Sequence, residues 1–326
     1  VDYLSIEFAG IPALFMSFIA TVVLSRIGIP IIRAKKMGQP IRDDGPESHH
    51  AKSGVPTMGG ILMVIPVLLI ALVFGGDRSG WLVLLGMLFL GAVGFIDDYE
   101  KLTKKQSLGL DERQKIILQV SLAAVLVVLY GLLTQQPHLQ FIPFSRQAID
   151  FSVFAYPLYL FVIVGCVNAA NLTDGLDGLN SLVSLFVFFA YAWIAHLQGQ
   201  VGAMVGALSF AGALIAFLFF NANPASIFMG DTGSMAIGGA VAMLSIVTKT
   251  VWFLPIIGII YVIEAASVLI QTFYYRRTGG KRIFLMSPIH HHYELKGVPE
   301  QKIVIWFGMI SLLAALLGVW MYRGVL

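Results

Sequence analysis

Ten stretches of almost unbroken apolar residues run along this chain, separated by short polar segments. They cover roughly 8–32, 57–75, 80–96, 113–134, 151–170, 179–197, 201–220, 232–248, 251–275 and 303–323. A helix needs about 20 such residues to cross the hydrocarbon core of a bilayer. Barrel strands would instead alternate apolar and polar positions in segments of about ten. The pattern predicts an all-α polytopic integral membrane protein with about ten transmembrane helices. The joining segments are too short for a separate soluble domain, so residues 1–326 read as a single membrane catalytic domain. No internal repeat suggests an inverted-repeat transporter.

Composition agrees. Of 326 residues, 58% are hydrophobic and 12% are charged, against roughly 25% charged in soluble domains. A disordered chain, a nucleic-acid binder and an ordinary soluble enzyme are excluded. The one cysteine, Cys166, cannot form an intrachain disulfide or a thiolate metal site and reads as a small apolar filler. Asp2 and Glu7 precede the first apolar run, where a secretory signal would carry positive charge.

The placement of the scarce charge is more telling. Segments 33–56, 97–115 and 276–302 hold 16 of the 21 Lys and Arg residues. With ten spans all three lie on one side, which the positive-inside rule makes cytoplasmic, with both termini outside. The same side receives 13 of the 18 acids. Orientation does not require that, because acids contribute little to it. A surplus of carboxylates there suggests chemistry.

Four strings carry that chemistry. Gly94-Phe-Ile-Asp97-Asp98-Tyr99 ends the third span with two adjacent carboxylates, and Lys101, Lys104 and Lys105 follow at once. Such acids are costly at a membrane boundary unless hydrated, paired or bound to a cation. Asn168 to Gly178 holds Asn171, Asp174 and Asp177 with no Lys or Arg; if helical, the two acids share a face. Asn221 to Ser234 contains Phe228 and a lone charge, Asp231, bracketed by Gly230 and Gly233 where a helix begins. That pattern fits a helix cap or a metal carboxylate. Ser287 to Glu294 contains His290-His291-His292, whose rings point in different directions on a helix and so do not share one metal. A Gly-rich basic segment, His49 to Gly60, lacks the P-loop spacing. Glu264 lies in mid-span with no identifiable partner. Carboxylates that can hold Mg²⁺, with lysines and histidines for phosphate oxygens, suit phosphoryl transfer at a membrane face. The residues alone point to a Mg²⁺-dependent enzyme joining a soluble phosphate compound to a lipid phosphate.

The strings HHAKSGVPTMGG (49–60), GFIDDYEK (94–101), NLTDGLDGL (171–179), FMGDTGS (228–234) and PIHHHYE (288–294) resemble the phospho-N-acetylmuramoyl-pentapeptide transferases. These belong to the polyprenyl-phosphate N-acetylhexosamine-1-phosphate transferase superfamily, and the resemblance extends over essentially the whole chain. It implies a peptidoglycan-building reaction in the bacterial cytoplasmic membrane, with the active site on the cytoplasmic face. UDP-N-acetylmuramoyl-pentapeptide and undecaprenyl phosphate would give lipid I and UMP. The resemblance implies Mg²⁺ on Asp231, and catalytic roles for Asp97, Asp98, Asp231, His290 and His291, with Asp98 as base towards the lipid phosphate. It implies substrate-binding roles for Lys52, Thr57, Lys101, Lys115, Asn171, Asp174, Asp177, Asn221, Phe228 and Gln271. Phe228 would stack on the uracil, and Lys115 enters through the string GLDERQK at 109–115. A homodimer is among the partners it suggests, and nucleic acid is not. The near alternative is a related transferase of UDP-N-acetylhexosamines, and the distant one is a membrane transporter.

Overall fold

The computed structural model describes residues 9–34, 54–104, 109–145 and 147–325. Each apolar run becomes helical. The helices are α1 (Ile11–Ala34), α2 (Gly60–Phe74), α3 (Arg78–Lys104), α4 (Glu112–Leu133), α5 (Ala155–Thr173), α6 (Leu179–Leu197), α7 (Val201–Asn221) and α8 (Gly230–Val247). Then come the short α9 (Leu254–Ile257), α10 (Ile259–Arg277), the cytoplasm-predicted α11 (Ile289–Leu295) and α12 (Glu300–Arg323). A helix satisfies its own backbone polar groups, as the bilayer interior demands.

Eight of these helices are long and apolar enough to cross a membrane, and the chain is a multi-pass membrane protein. The other two predicted spans differ in form. The run 251–275 is broken at Gly258, where α9 and α10 meet at an 84° bend. The run 57–75 forms only the 15 residues of α2, about 22 Å of helix against a core of about 30 Å. Its first residues are drawn instead into backbone hydrogen bonds with a distant loop: Phe228 N to Pro56 O at 2.8 Å, Gly59 N to Phe228 O at 2.9 Å and Gly60 N to Met229 O at 2.8 Å.

The core is organised around α8. Nearly all of its residues are buried, and it packs against α3 more extensively than any other helix pair in the described chain. Its sequence is rich in Gly, Ala and Ser, which lets neighbouring backbones approach closely. Gly86 of α3 faces Gly239 of α8, Gly91 faces Ala236, and Gly94 faces the Asp231 backbone. Lipid meets the outer helices, where Phe15, Ile19, Leu313 and Leu316 are each more than half exposed. At the end away from the acid-rich loops, strands β1 (Leu139–Phe141) and β2 (Ala148–Asp150) form an antiparallel hairpin that the apolar pattern did not predict. Gln140 ties it to the helices, donating to the Tyr159 hydroxyl at 2.7 Å and accepting from the Val251 N–H at 3.2 Å.

Gly239→Val tests the glycine-lined contact. Its side chain would run into the Gly86 carbonyl and Leu90, and overpacking of this kind costs about 1–3 kcal/mol. The unfolding midpoint of the detergent-solubilised variant is expected to fall by several degrees. A midpoint equal to that of the parent protein would contradict the packing described.

Candidate active site

The site begins at the N-terminus of α8. The first N–H groups of any helix lack intrahelical partners, and here α3 supplies the acceptor. Asp98 Oδ1 accepts from Asp231 N at 3.1 Å. Its Oδ2 accepts from Thr232 N at 2.9 Å and from the Thr232 hydroxyl at 2.7 Å. The chain enters α8 through Gly230 at φ +75°. A Cβ there would sit 2.7 Å from Asp98 Oδ2 and 2.9 Å from Thr57 Oγ1, so glycine is needed for conformation and for space. Asp98 is therefore a buried cap reaching from another helix. Both of its oxygens accept hydrogen bonds from the start of α8.

α3 continues eight residues beyond the predicted apolar run, to Lys104, and this extension carries the next residues into place. Asp97 Oδ1 accepts from Leu110 N at 3.0 Å. Asp97 Oδ2 lies 2.6 Å from Lys101 Nζ and 3.7 Å from Lys115 Nζ. Both ammonium groups also reach Asp231 Oδ2, at 3.0 Å and 2.6 Å. Lys115 stands in the first turn of α4, where the Gln114 side chain accepts the Asp111 N–H at 3.3 Å and starts the helix. Asn171 at the end of α5 donates to Asp231 Oδ1 at 2.8 Å and contacts the Ser234 hydroxyl at 2.9 Å. Five sequence-predicted residues, Asp97, Lys101, Lys115, Asn171 and Asp231, thus share one cluster with Asp98.

Can this cluster hold a divalent cation? One carboxylate oxygen from each of Asp97, Asp98 and Asp231 lies within 4.8 Å of the others. That span and the all-oxygen donor set suit Mg²⁺. The donor set therefore fits the ion, which would take the Asp97 and Asp231 oxygens now paired with Lys101 and Lys115. Sequence reading assigned the metal to Asp231 alone; the adjacency of Asp97 and Asp98 was visible, but not their meeting with Asp231.

The α5–α6 turn adds a fourth carboxylate. Asp174 and Asp177 do not share a helical face, because α5 stops at Thr173 and residues 174–178 form turns. Asp174 turns towards α8. Desolvation, then the negative charges of Asp231, Asp98 and Asp177, push its carboxyl well above the usual carboxylate range. A hydrogen bond from the Gly230 backbone opposes that rise.

Several other predicted residues hold loops. Asp177 accepts from Asn223 Nδ2 at 3.2 Å and Ala225 N at 3.0 Å, while its own N–H donates to Glu300 at 2.6 Å. Asn221 accepts from Ser181 and donates to the Ile227 carbonyl. Gln271 accepts from Ile283 N and Phe284 N, both at 3.0 Å, and donates to Phe284 O at 2.9 Å. Direct substrate contact by Asn221 or Gln271 would have to displace these bonds. Thr57 is buried beside Gly230, and Phe228 is half-buried. Lys52 lies outside the described residues.

The histidines divide by burial. His290 is completely enclosed, with its ring edge against Gly175. His291 is half-buried and meets the His290 ring edge-on at 4.1 Å between centroids, with Nδ1 3.1 Å from Glu294 Oε2. The Nδ1 atom of His292 accepts from Leu285 N at 3.0 Å. Glu264 does have a partner that sequence reading missed: its Oε2 lies 3.0 Å from His290 Nδ1.

Thr232→Val tests the cap. It removes one hydrogen bond to a charged acceptor, worth about 1.5–3 kcal/mol. A lower thermal midpoint is expected, together with reduced turnover because Asp231 is the residue next to the lost anchor. A variant indistinguishable from its parent in both would contradict the cap's importance.

Residues 80–249 match the family model described as glycosyl transferase family 4. Curated relatives named phospho-N-acetylmuramoyl-pentapeptide-transferase match nearly the full length. One from Listeria monocytogenes serotype 4b (strain CLIP80459) is 44% identical over 309 residues, covering 93% of this chain and 95% of the relative. One from Geobacillus kaustophilus (strain HTA426) is 44% identical over 319 residues, covering 96% and 98%. One from Caldanaerobacter subterraneus subsp. tengcongensis is 43% identical over 303 residues, covering 93% and 95%.

Proposed function

We propose that the chain, which belongs to the phospho-N-acetylmuramoyl-pentapeptide transferase family within glycosyl transferase family 4, carries out the reaction its relatives are named for. Phospho-N-acetylmuramoyl-pentapeptide passes from its UDP carrier to undecaprenyl phosphate, giving lipid I and UMP. The observation that carries this reading is the meeting of Asp97, Asp98 and Asp231 with Lys101, Lys115 and Asn171 at one end of the helices. Phosphoryl transfer needs little covalent help from a protein; positioning and charge stabilisation do most of the work.

Asp231, with Asp97 and Asp98, would hold Mg²⁺, which when bound supplies positive charge to the pyrophosphate oxygens. Lys101 and Lys115 are the nearby donors for phosphate oxygens. Phe228, half-buried at the mouth of the loop before α8, offers a face to the uracil. His291, half-buried beside His290, would face a phosphate oxygen. The lipid phosphate is a phosphomonoester with a second pKa near 6, so it is largely ionised at neutral pH without a base. We favour direct attack by that phosphate over a route through a phospho-enzyme. The cluster lies at the end that carries Lys104, Arg276, Arg277 and Lys302, which the positive-inside rule assigns to the cytoplasm. In this reading the enzyme sits in the bacterial inner membrane and works from its cytoplasmic face.

UMP release, measured with each candidate UDP-sugar and undecaprenyl phosphate, tests the substrate. UDP-N-acetylmuramoyl-pentapeptide is expected to turn over, and a UDP-N-acetylhexosamine is not; the reverse order would sink the assignment. Chelation of divalent ions is expected to stop UMP release, and added Mg²⁺ to restore it. Asp231→Asn is expected to lose essentially all turnover while remaining folded, and near-parental turnover would remove Asp231 from the metal site. His291→Ala should also lose much of the activity, whereas an unchanged rate would deny His291 a phosphate-facing role.

A further inference from the structure

We propose that Glu264 is a positioning residue for the transfer reaction, acting through His290 on the Asp174–Gly175 turn and on His291. Glu264 sits on α10, and His290 opens α11. Both side chains are fully enclosed, with Oε2 and Nδ1 3.0 Å apart. Beyond this contact, among the described residues neither carboxylate oxygen nor either ring nitrogen has a hydrogen-bond partner. A buried carboxylate without compensation is costly. Even a good buried ion pair is often no more stabilising than apolar side chains of the same volume. Stability alone therefore gives no reason to bury this pair.

Its location does. The far edge of the His290 ring lies against Gly175, where any Cβ would overlap Nε2. Asp174, the preceding residue, takes a hydrogen bond from the Gly230 backbone at the entrance to α8, and Asp231 follows Gly230. His290 also meets the ring of His291, edge-on. One imidazole thus touches both the acidic turn and the histidine assigned to a substrate phosphate. With its proton on Nδ1 facing Glu264, the ring has one orientation; without the carboxylate it is free to turn. Carboxylates that orient a histidine in this way are familiar around metal and catalytic centres.

Docking of the segment does not depend on Glu264. Gln271, two helical turns along α10, holds the backbone of Ile283 and Phe284 by three hydrogen bonds. His292 holds Leu285. Loss of the Glu264 charge should accordingly affect ring orientation more than attachment of the loop.

The inference rests on the transferase reading, which UMP release by the parent protein establishes separately; the ratio of each variant to that rate tests Glu264. The full-length solubilised protein is assayed with saturating undecaprenyl phosphate and varied nucleotide sugar. Glu264→Gln is expected to lower kcat roughly 10- to 100-fold, with KM held within about threefold. Glu264→Asp should recover part of the loss. His290→Asn should match the Gln variant, and the double variant should be no worse than the poorer single, because the two act as a unit. An unchanged kcat, a loss confined to KM, or losses that multiply in the double variant would overturn the proposal. If Glu264→Gln does not fold, Gly175→Ala takes its place. The added methyl displaces the His290 ring while the Glu264 charge remains, so kcat should fall and KM hold. A parental kcat in Gly175→Ala would equally overturn it.

Discussion

The capping of α8 by Asp98 is the contact on which the rest of the site depends. A helix buried in protein needs acceptors for its first N–H groups just as one in water does, and the buried start of α8 finds them on another helix. Asp98 reaches them because Gly94, one turn earlier on α3, lets that helix lie against the Asp231 backbone. Once the cap is made, the directions of its neighbours follow. Asp97 points towards Leu110 and the lysines, and Asp231 extends its carboxylate into the space between Lys101, Lys115 and Asn171. Three acids meet because one helix end was tied to another.

The charge balance of that cluster explains why it survives partial burial. Two ammonium groups lie between two carboxylates, while Asp98 is neutralised locally by N–H and hydroxyl donors. Asp174 has no cation among its perturbing neighbours, and burial together with the surrounding negative charge pushes its carboxyl upward. The arrangement discriminates between acids that are chemically identical in the sequence. The loops are held separately, by Asp177, Asn221 and Gln271 bonding to backbone, while Asp231 and the lysines meet in the cluster.

Much of this was legible in the sequence because bilayer thickness sets a length that apolar runs must meet. The positions of α1, α3 to α8 and α12 follow from it, as does the bias of charge to one face. The break at Gly258 was not read, although Pro255 and Gly258 within an apolar run were available as signals. The extension of α3 to Lys104 was hidden because its last turns are polar, and hydropathy stops where the lipid does. Pairing was the least visible property. Periodicity tells which residues are buried, but it does not tell that Glu264 meets His290, or that the Asp98 carboxylate caps a helix more than a hundred positions away. Nor does it tell that the amides of Asn221 and Gln271 hold turns.

The backbone pairing of Pro56, Gly59 and Gly60 with Phe228 and Met229 has a consequence for biogenesis. The centre is assembled from pieces spread across the chain: the start of α2, the end of α3, the α5–α6 turn, the entrance to α8 and α11. A nascent polypeptide that has inserted its first helices possesses two of the three acids but no site, since their partner has yet to leave the ribosome. Transfer competence therefore arrives late in synthesis and all at once. A truncated product would sit in the membrane without being able to consume the lipid carrier.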